Sequence, residues 1–179
     1  MPFNDYEVRG ETTAFFIVRR NGDVHEVLID TEDLPRLIDL GRKWKKASAN
    51  YAVTNTKMAL TDKWIEIRLH RFIMNCPSHL LVDHINHNGF DNRKSNLRIC
   101  TKGENNQNLQ GARKHNKTSN IRGVSWKKSS GKWRAYATIN RKQNHLGFFD
   151  HLHEAEAAVI AFRKEHMPYS AMDQKENVI

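Results

Sequence analysis

Apolar positions recur with two periods along this chain, and the change of period marks out its elements. In "TAFFIVRRNGDVHEVLID" (13–30) two apolar-rich runs flank Asn21-Gly22. That pair suits a type I′ turn because both residues tolerate positive φ, so a β-hairpin is predicted. "TEDLPRLIDLG" (31–41) predicts a short helix, with Thr31 as cap, Leu34, Leu37 and Ile38 on one face and Gly41 as terminator. "KWIEIRLHRFIM" (63–74) alternates strictly from Trp64 to Leu69 and becomes helical or irregular after His70. These elements make up an N-terminal region of residues 1–75 with no catalytic signature of its own.

Residues 76–110 contain "LVDHINHNGFDNRKSNLRICTKGENNQN", crowded with Asn, His and Asp. Such clusters ordinarily mark exposed loops. Here "HLLVDHI" and "LRICT" have the apolar content of strands flanking a polar loop, and Thr101-Lys102-Gly103-Glu104 fits a capping box. The predicted order is strand, loop, strand, helix, with Asp83 and His84 near one strand end and Asn105 in the helix's first turn. Residues 111–120 are small, polar and basic, and predict a linker. Beyond it, "IRGVSWKK", "KWRAYATIN" and "NHLGFF" predict three short strands, followed by a helix capped by Asp150 with Leu152, Ala155, Val159 and Phe162 on one face. The tail, 169–179, is expected to fray. The expected fold class is α+β: one mixed region over 1–110 with its core near 76–110, then a module of three antiparallel strands and one helix over 121–168.

Charge changes this picture. The net charge is +9, and residues 111–149 hold ten Lys or Arg and no Asp or Glu, leaving 19 bases against 20 acids elsewhere. One segment carries the whole excess. It can be an ordinary solvated basic face, but its concentration beside aromatic residues favours a polyanionic partner, bound in a salt-sensitive way. Cys76 and Cys100 are the only cysteines, too few for a disulfide scaffold and without a CxxC pair for structural zinc. They are expected to be ordinary thiols in a reducing cytosol. No apolar run approaches the roughly 18 residues of a membrane span, and the N-terminus lacks a secretion signal's pattern. The expected location is cytoplasmic.

Asp83-His84, Asn96 within "SNLR" and Asn105 within "GEN", with "DNR" at 91–93 and "LHRFIM" upstream, resemble the HNH, or ββα-metal, nucleases. The likeness is to the His-Asn-Asn variant of phage and group I intron homing endonucleases. It implies that Asp83 and Asn105 hold one divalent cation through oxygen, of the magnesium or manganese type. It implies that His84 takes the proton from an attacking water and that Asn96 holds the His84 ring in position. Family members nick one strand per active site and leave 5′-phosphate and 3′-hydroxyl ends. Zinc at His84 and His87 is not expected, because a strand or loop does not bring an i, i+3 pair together as a helix does. His79 and His87 have no assigned role.

"RGV", "GKW", "LGFF" and the Ala-rich helix after "EAEAA", over residues 118–166, resemble the Apetala-type DNA-binding domain of plant ethylene-response factors, also found fused to phage HNH nucleases. Alternation puts Trp133, Ala135, Ala137 and Ile139 on a core face, and Arg134, Tyr136 and Thr138 on the other. The resemblance implies that this second face lies in the DNA major groove. Arg122, Lys127, Arg134, Tyr136 and His145 are expected near bases or backbone, and Lys128, Lys132, Arg141 and Lys142 on phosphates. Arg113, Lys114 and Lys117 would track the backbone along the linker. Ser125, Thr138 and Gln143 stand where the plant pattern has Arg, so plant target preference does not transfer, and a sheet that binds DNA without sequence preference stays open. The sequence thus predicts a metal-dependent endonuclease on double-stranded DNA, monomeric or homodimeric. The alternatives are a non-catalytic DNA-binding regulator and a DNA-packaging accessory protein.

Overall fold

The computed structural model describes residues 3–58, 61–112, 114 and 116–174. The chain divides into two compact units between Cys100 and Thr101. Both are mixed α+β, built from small antiparallel sheets and few helices.

In the first unit β1 (Tyr6–Arg9), β2 (Thr12–Val18) and β3 (Val24–Asp30) form an antiparallel sheet in that order. The hairpin is where the apolar pattern predicts it, but its turn is not type I′. Gly22 N–H donates to the Arg19 carbonyl at 3.0 Å, Arg19 N–H donates to Asp23 at 2.8 Å, and Gly22 alone of the pair has positive φ, at 87°. This is the three-residue loop built on a type I turn, which needs left-handed backbone at one position rather than two. A 3₁₀ turn at Thr31–Asp33 leads into α1 (Leu34–Asp39). Thr31 does not cap it: its hydroxyl donates to the Gly10 carbonyl at 2.7 Å and lies 3.0 Å from the Thr13 hydroxyl. Leu34 and Leu37 are buried, whereas Ile38 is turned out. Gly41, at φ 62°, closes the helix as expected.

A second sheet follows, ordered β4 (Lys45–Lys46), β5 (Ala52–Lys57) and β6 (Trp64–Arg68). After β6 the chain turns into α2 (Leu69–Ile73), where the alternation stops. β7 (Leu81–His84) and β8 (Leu97–Cys100) complete the unit as an antiparallel pair, with Asp83 opposite Arg98 and His84 opposite Leu97. One core joins the sheets and helices: Phe15, Ile17, Val27, Ile29, Leu37, Trp44, Leu69, Ile73 and Leu97 are all buried in it.

The second unit opens with α3 (Lys102–Asn105), capped as predicted: Thr101 N–H donates to Glu104 Oε2 at 2.7 Å and Glu104 N–H to Thr101 Oγ1 at 3.3 Å. β9 (Val124–Lys127), β10 (Lys132–Ile139) and β11 (Lys142–Phe149) form an antiparallel sheet with β10 in the middle. The β10–β11 turn is the two-residue kind, Asn140 at φ 50° and Arg141 at φ 64°. α4 (Leu152–His166) lies across the sheet, and Ala135, Ala155, Val124 and Val159 meet beneath it. Small side chains at Ala135 and Ala155 let helix and sheet approach closely. His151 rather than Asp150 begins α4, because the Asp150 carboxylate is held by Lys132 at 3.0 Å and Glu154 instead accepts the His151 N–H at 3.3 Å.

Of the tail expected to fray, the described part is folded through α5 (Ala171–Gln174), and residues 175–179 lie outside the described residues. Arg163 donates to both Asp173 oxygens, at 2.7 and 2.9 Å, and Met167 is buried. Part of the predicted linker is also built in, since Asn116 Nδ2 donates to the Ile121 and Val124 carbonyls at 2.9 and 2.6 Å. Gly123 is a tight point of this unit. Its φ is 84°, and an added Cβ would lie 2.4 Å from the Tyr136 carbonyl oxygen and 3.0 Å from Val159. Gly123→Ala is therefore expected to cost this unit about 2–4 kcal/mol, from left-handed strain plus the clash. Chemical denaturation of the variant checks this.

Candidate active site and nucleic-acid face

β7 ends in the two residues the sequence singles out. Successive strand residues point to opposite faces, so Asp83 and His84 diverge. Asp83, 8% exposed, accepts from Arg98 on the facing strand, Oδ2 lying 3.0 Å from Nε and 2.7 Å from Nη2. His84, 5% exposed, turns into a ring cluster with His70 (centroids 5.1 Å apart) and Tyr51 (5.7 Å). Its Nε2 lies 3.3 Å from Asn92 Oδ1. Asn92 Nδ2 donates to the Gly89 carbonyl, also at 3.3 Å, which turns its oxygen towards the ring.

Asn96 acts on the loop rather than on the ring. Its Oδ1 accepts from the Asn86 N–H at 2.9 Å, and its Nδ2 donates to Asn86 Oδ1 at 2.9 Å and to the Asp91 carbonyl at 2.8 Å. Asn92 occupies the position beside His84 that was expected of Asn96. Asp91 is clamped in turn by Arg93, through two bonds of 2.8 Å, which hold its carboxyl below the usual range. The loop also adds to β3, Leu28 N–H donating to Phe90 and Asn92 N–H to Leu28 at 2.8 and 2.7 Å. Gly89 permits this docking: a Cβ there would meet the Asn50 carbonyl at 2.4 Å and the Tyr51 ring at 2.9 Å.

The two histidines are electrostatically distinct from surface imidazoles. Burial pushes His84 down from its ordinary value, opposed by the Asn92 hydrogen bond and by the charges of Asp83 and Asp91. Burial pushes His70 down to about 3, helped by His84, Arg68 and Arg71, and its Nδ1 has no hydrogen-bond partner among the described residues. Both rings are therefore held neutral at neutral pH, the state in which an imidazole can accept a proton.

Asn105 lies on α3, in the second unit, and Asp83 on β7, in the first. Among the described residues no group of three or more His, Cys, Asp or Glu is placed to hold a metal. The expected ligands, one carboxylate and one amide, have the oxygen donors that suit a hard divalent cation. A cation at Asp83 Oδ2 would share that oxygen with Arg98.

In the second unit the outer sheet face carries Ser125 and Lys127 on β9, Lys132, Arg134, Tyr136 and Thr138 on β10, and Gln143, His145 and Phe148 on β11. The face assignment for β10 matches the alternation. Lys127, Lys128, Arg141, Lys142 and His145 are exposed, as are Lys114 and Lys117. Arg134 stacks on Tyr136, 4.8 Å from the ring centroid, and Lys132 is paired with Asp150. Arg122 is committed within the unit: its guanidinium donates to the Asn106, Gln107 and Leu109 carbonyls at 2.9, 2.7 and 3.0 Å. Arg113 lies outside the described residues.

Sequence reasoning missed Tyr51, His70, Asn92 and Phe148. His70 lies in "LHRFIM", Asn92 in "DNR" and Phe148 in "LGFF", stretches that carry the likenesses without singling these residues out, whereas Tyr51 is brought in by folding alone.

Two measurements follow from these contacts. Asn96→Ala leaves the Asn86 amide and the Asp91 carbonyl without partners, and is expected to destabilise the first unit by about 2–3 kcal/mol in denaturant titration. His70 takes up a proton in the unfolded chain from its ordinary 6.5 downwards but in the folded one only near 3. Stability is thus complete above that ordinary value and falls as pH drops through the interval, by on the order of 2 kcal/mol at pH about 4.5. His70→Phe is expected to flatten this dependence, measured as the change in unfolding midpoint between neutral and acid buffer.

Comparison with known proteins finds no matching family model and no matching solved structure. It finds Protein 3.8 of Escherichia phage T7, 32% identical over 89 residues, which are 50% of this chain and 71% of that protein. At that identity and coverage of the phage protein, the chain belongs to the same family as Protein 3.8.

Proposed function

We propose that this protein is a metal-dependent DNA endonuclease of the His-Asn-Asn type, nicking one strand per active site, with a C-terminal module that grips double-stranded DNA. What carries the reading is one arrangement. A neutral, buried imidazole at the end of β7 adjoins a carboxylate in sequence, and both precede a loop locked by Asn96. β7, its loop, β8 and α3 follow one another along the chain, the order that a ββα motif calls for.

In this reading His84 takes the proton from a water attacking the scissile phosphate. Its lowered basicity keeps it unprotonated at neutral pH, and Asn92 fixes the ring's direction. Asn96 holds the loop that carries Asn92. Asp83 and Asn105 supply oxygen ligands for a magnesium or manganese ion, which when bound stabilises the departing 3′ oxygen. Lys127, Lys128, Arg141 and Lys142 attract the DNA backbone from the module, and Lys114 and Lys117 from the stretch before it. A phage setting, inside a bacterial host cell, agrees with the kinship to a phage protein.

One observation favours a second reading. The Arg98 guanidinium already holds Asp83 Oδ2, as expected of a DNA-binding regulator that keeps the fold without the metal. Nicking of supercoiled plasmid by the full chain separates the two. The endonuclease cuts with magnesium, stops in EDTA, and loses at least about 100-fold in rate on His84→Ala, as for a lost general base. No cutting with either magnesium or manganese, alongside tight DNA binding, supports the regulator. Undiminished cutting by a folded His84→Ala protein removes His84 as the base.

A further inference from the structure

Phe148 has no task in the function proposed above, yet its ring is 43% exposed on the outer sheet face. Simple alternation would put His145 and Phe148 on opposite sides of β11. A register shift prevents it: Ala135 pairs with Gly147 but Tyr136 pairs with His145, so Leu146 is an extra residue. This β-bulge turns Leu146 to the core, where it packs beside Ala135 and Val159, and brings His145 and Phe148 out together, ring centroids 4.7 Å apart. Bulges re-aim side chains in this way. Gly147 makes the bend possible, at φ 138°, with the Phe149 ring 3.1 Å from where a Cβ would be.

The exposed ring is framed by cations. Lys127 Nζ stands 5.5 Å from its centroid, and Arg134 lies directly across on β10. No Asp or Glu occurs in β9, β10 or β11. Such a face is complementary to DNA, and a sheet can enter the major groove. There Lys127 and Arg134 have phosphates and guanine edges to meet. A phenyl ring offers no such hydrogen bond, and pressing it on a donor or acceptor would strip water from that atom without replacement. The apolar group on the major-groove edge of unmodified base pairs is the thymine C5 methyl.

We infer that Phe148 is a specificity-determining residue that packs on a thymine methyl group when the outer face of β9–β11 lies in the major groove. The inference rests on the duplex-DNA reading above and gives it a base preference. It also decides the open question of sequence preference in favour of a selective module. His145, beside the ring, limits how far along the groove the methyl can sit.

The test is selection of duplexes from a random pool by the full chain in EDTA, followed by titration of the selected duplex with thymine or uracil at each selected thymine. At one position uracil is expected to weaken binding roughly fourfold, the factor for burying one methyl group. Phe148→Ala should erase the difference at that position and Phe148→Leu, still apolar, should keep most of it, with both variants checked for unchanged secondary structure and melting. Duplex binding with no thymine-to-uracil difference, or with the difference intact in Phe148→Ala, overturns the inference while leaving the DNA-binding reading standing. Tighter binding of single strands than of duplex also overturns it, in favour of stacking on an unpaired base. Failure to bind any DNA removes the DNA-binding reading and the inference with it.

Discussion

Asn96 holds the segment between β7 and β8 through three hydrogen bonds, to the Asn86 amide, the Asn86 side chain and the Asp91 carbonyl. A loop without a regular ladder must satisfy its backbone groups individually, and a buried amide side chain, which both donates and accepts, does so at low conformational cost. The position of Asn92 depends on this lock, and the direction of the His84 ring depends on Asn92. The crowding of Asn and Asp in this stretch is thus a hydrogen-bond framework around an imidazole, set against β3 by the Leu28 bonds.

Beneath that framework lies a pair of imidazoles that burial keeps uncharged. His70 and His84 meet edge to face, beside Tyr51. Burying two ionisable rings together is tolerable because both are neutral. Charging either would place a cation in a poorly solvated site, and for His70 that site also lies near Arg68 and Arg71. The same burial that lowers stability in acid keeps His84 ready to accept a proton, so one packing arrangement bears on both stability and chemistry.

The second unit solves a different problem. Its core is thin, with Ala135 and Ala155 at the contact between sheet and helix, and it relies on close approach at Gly123 and on the Arg163–Asp173 pair to bind the chain end. Its outer face is left to cations stacked on aromatic rings. Arg134 on Tyr136 and Lys127 on Phe148 keep charged groups extended over the sheet. Arg122 shows that basic charge alone does not assign a residue to such a face, since its guanidinium is taken up by three carbonyls of its own unit.

Features that depend on neighbours along the chain are legible in the sequence itself. The β2–β3 hairpin, a change from strand to helix within a residue or two of His70, the Thr101–Glu104 cap and the inner and outer faces of β10 follow from period and local hydrogen-bonding chemistry. The two hairpin turns mark the limit of that. Asn21-Gly22 has the composition of a type I′ turn, but the loop closes from Arg19 to Asp23, while the two-residue turn falls at Asn140-Arg141, a less typical pair. Strand register chooses the turn, and register is set by which side chains are buried. For the same reason tertiary structure alone placed Asn92 and His70 against His84, folded the tail onto Arg163 and turned Phe148 outward at a bulge. Each depends on contacts that cross a loop or join separate elements, or on a one-residue slip that composition does not record.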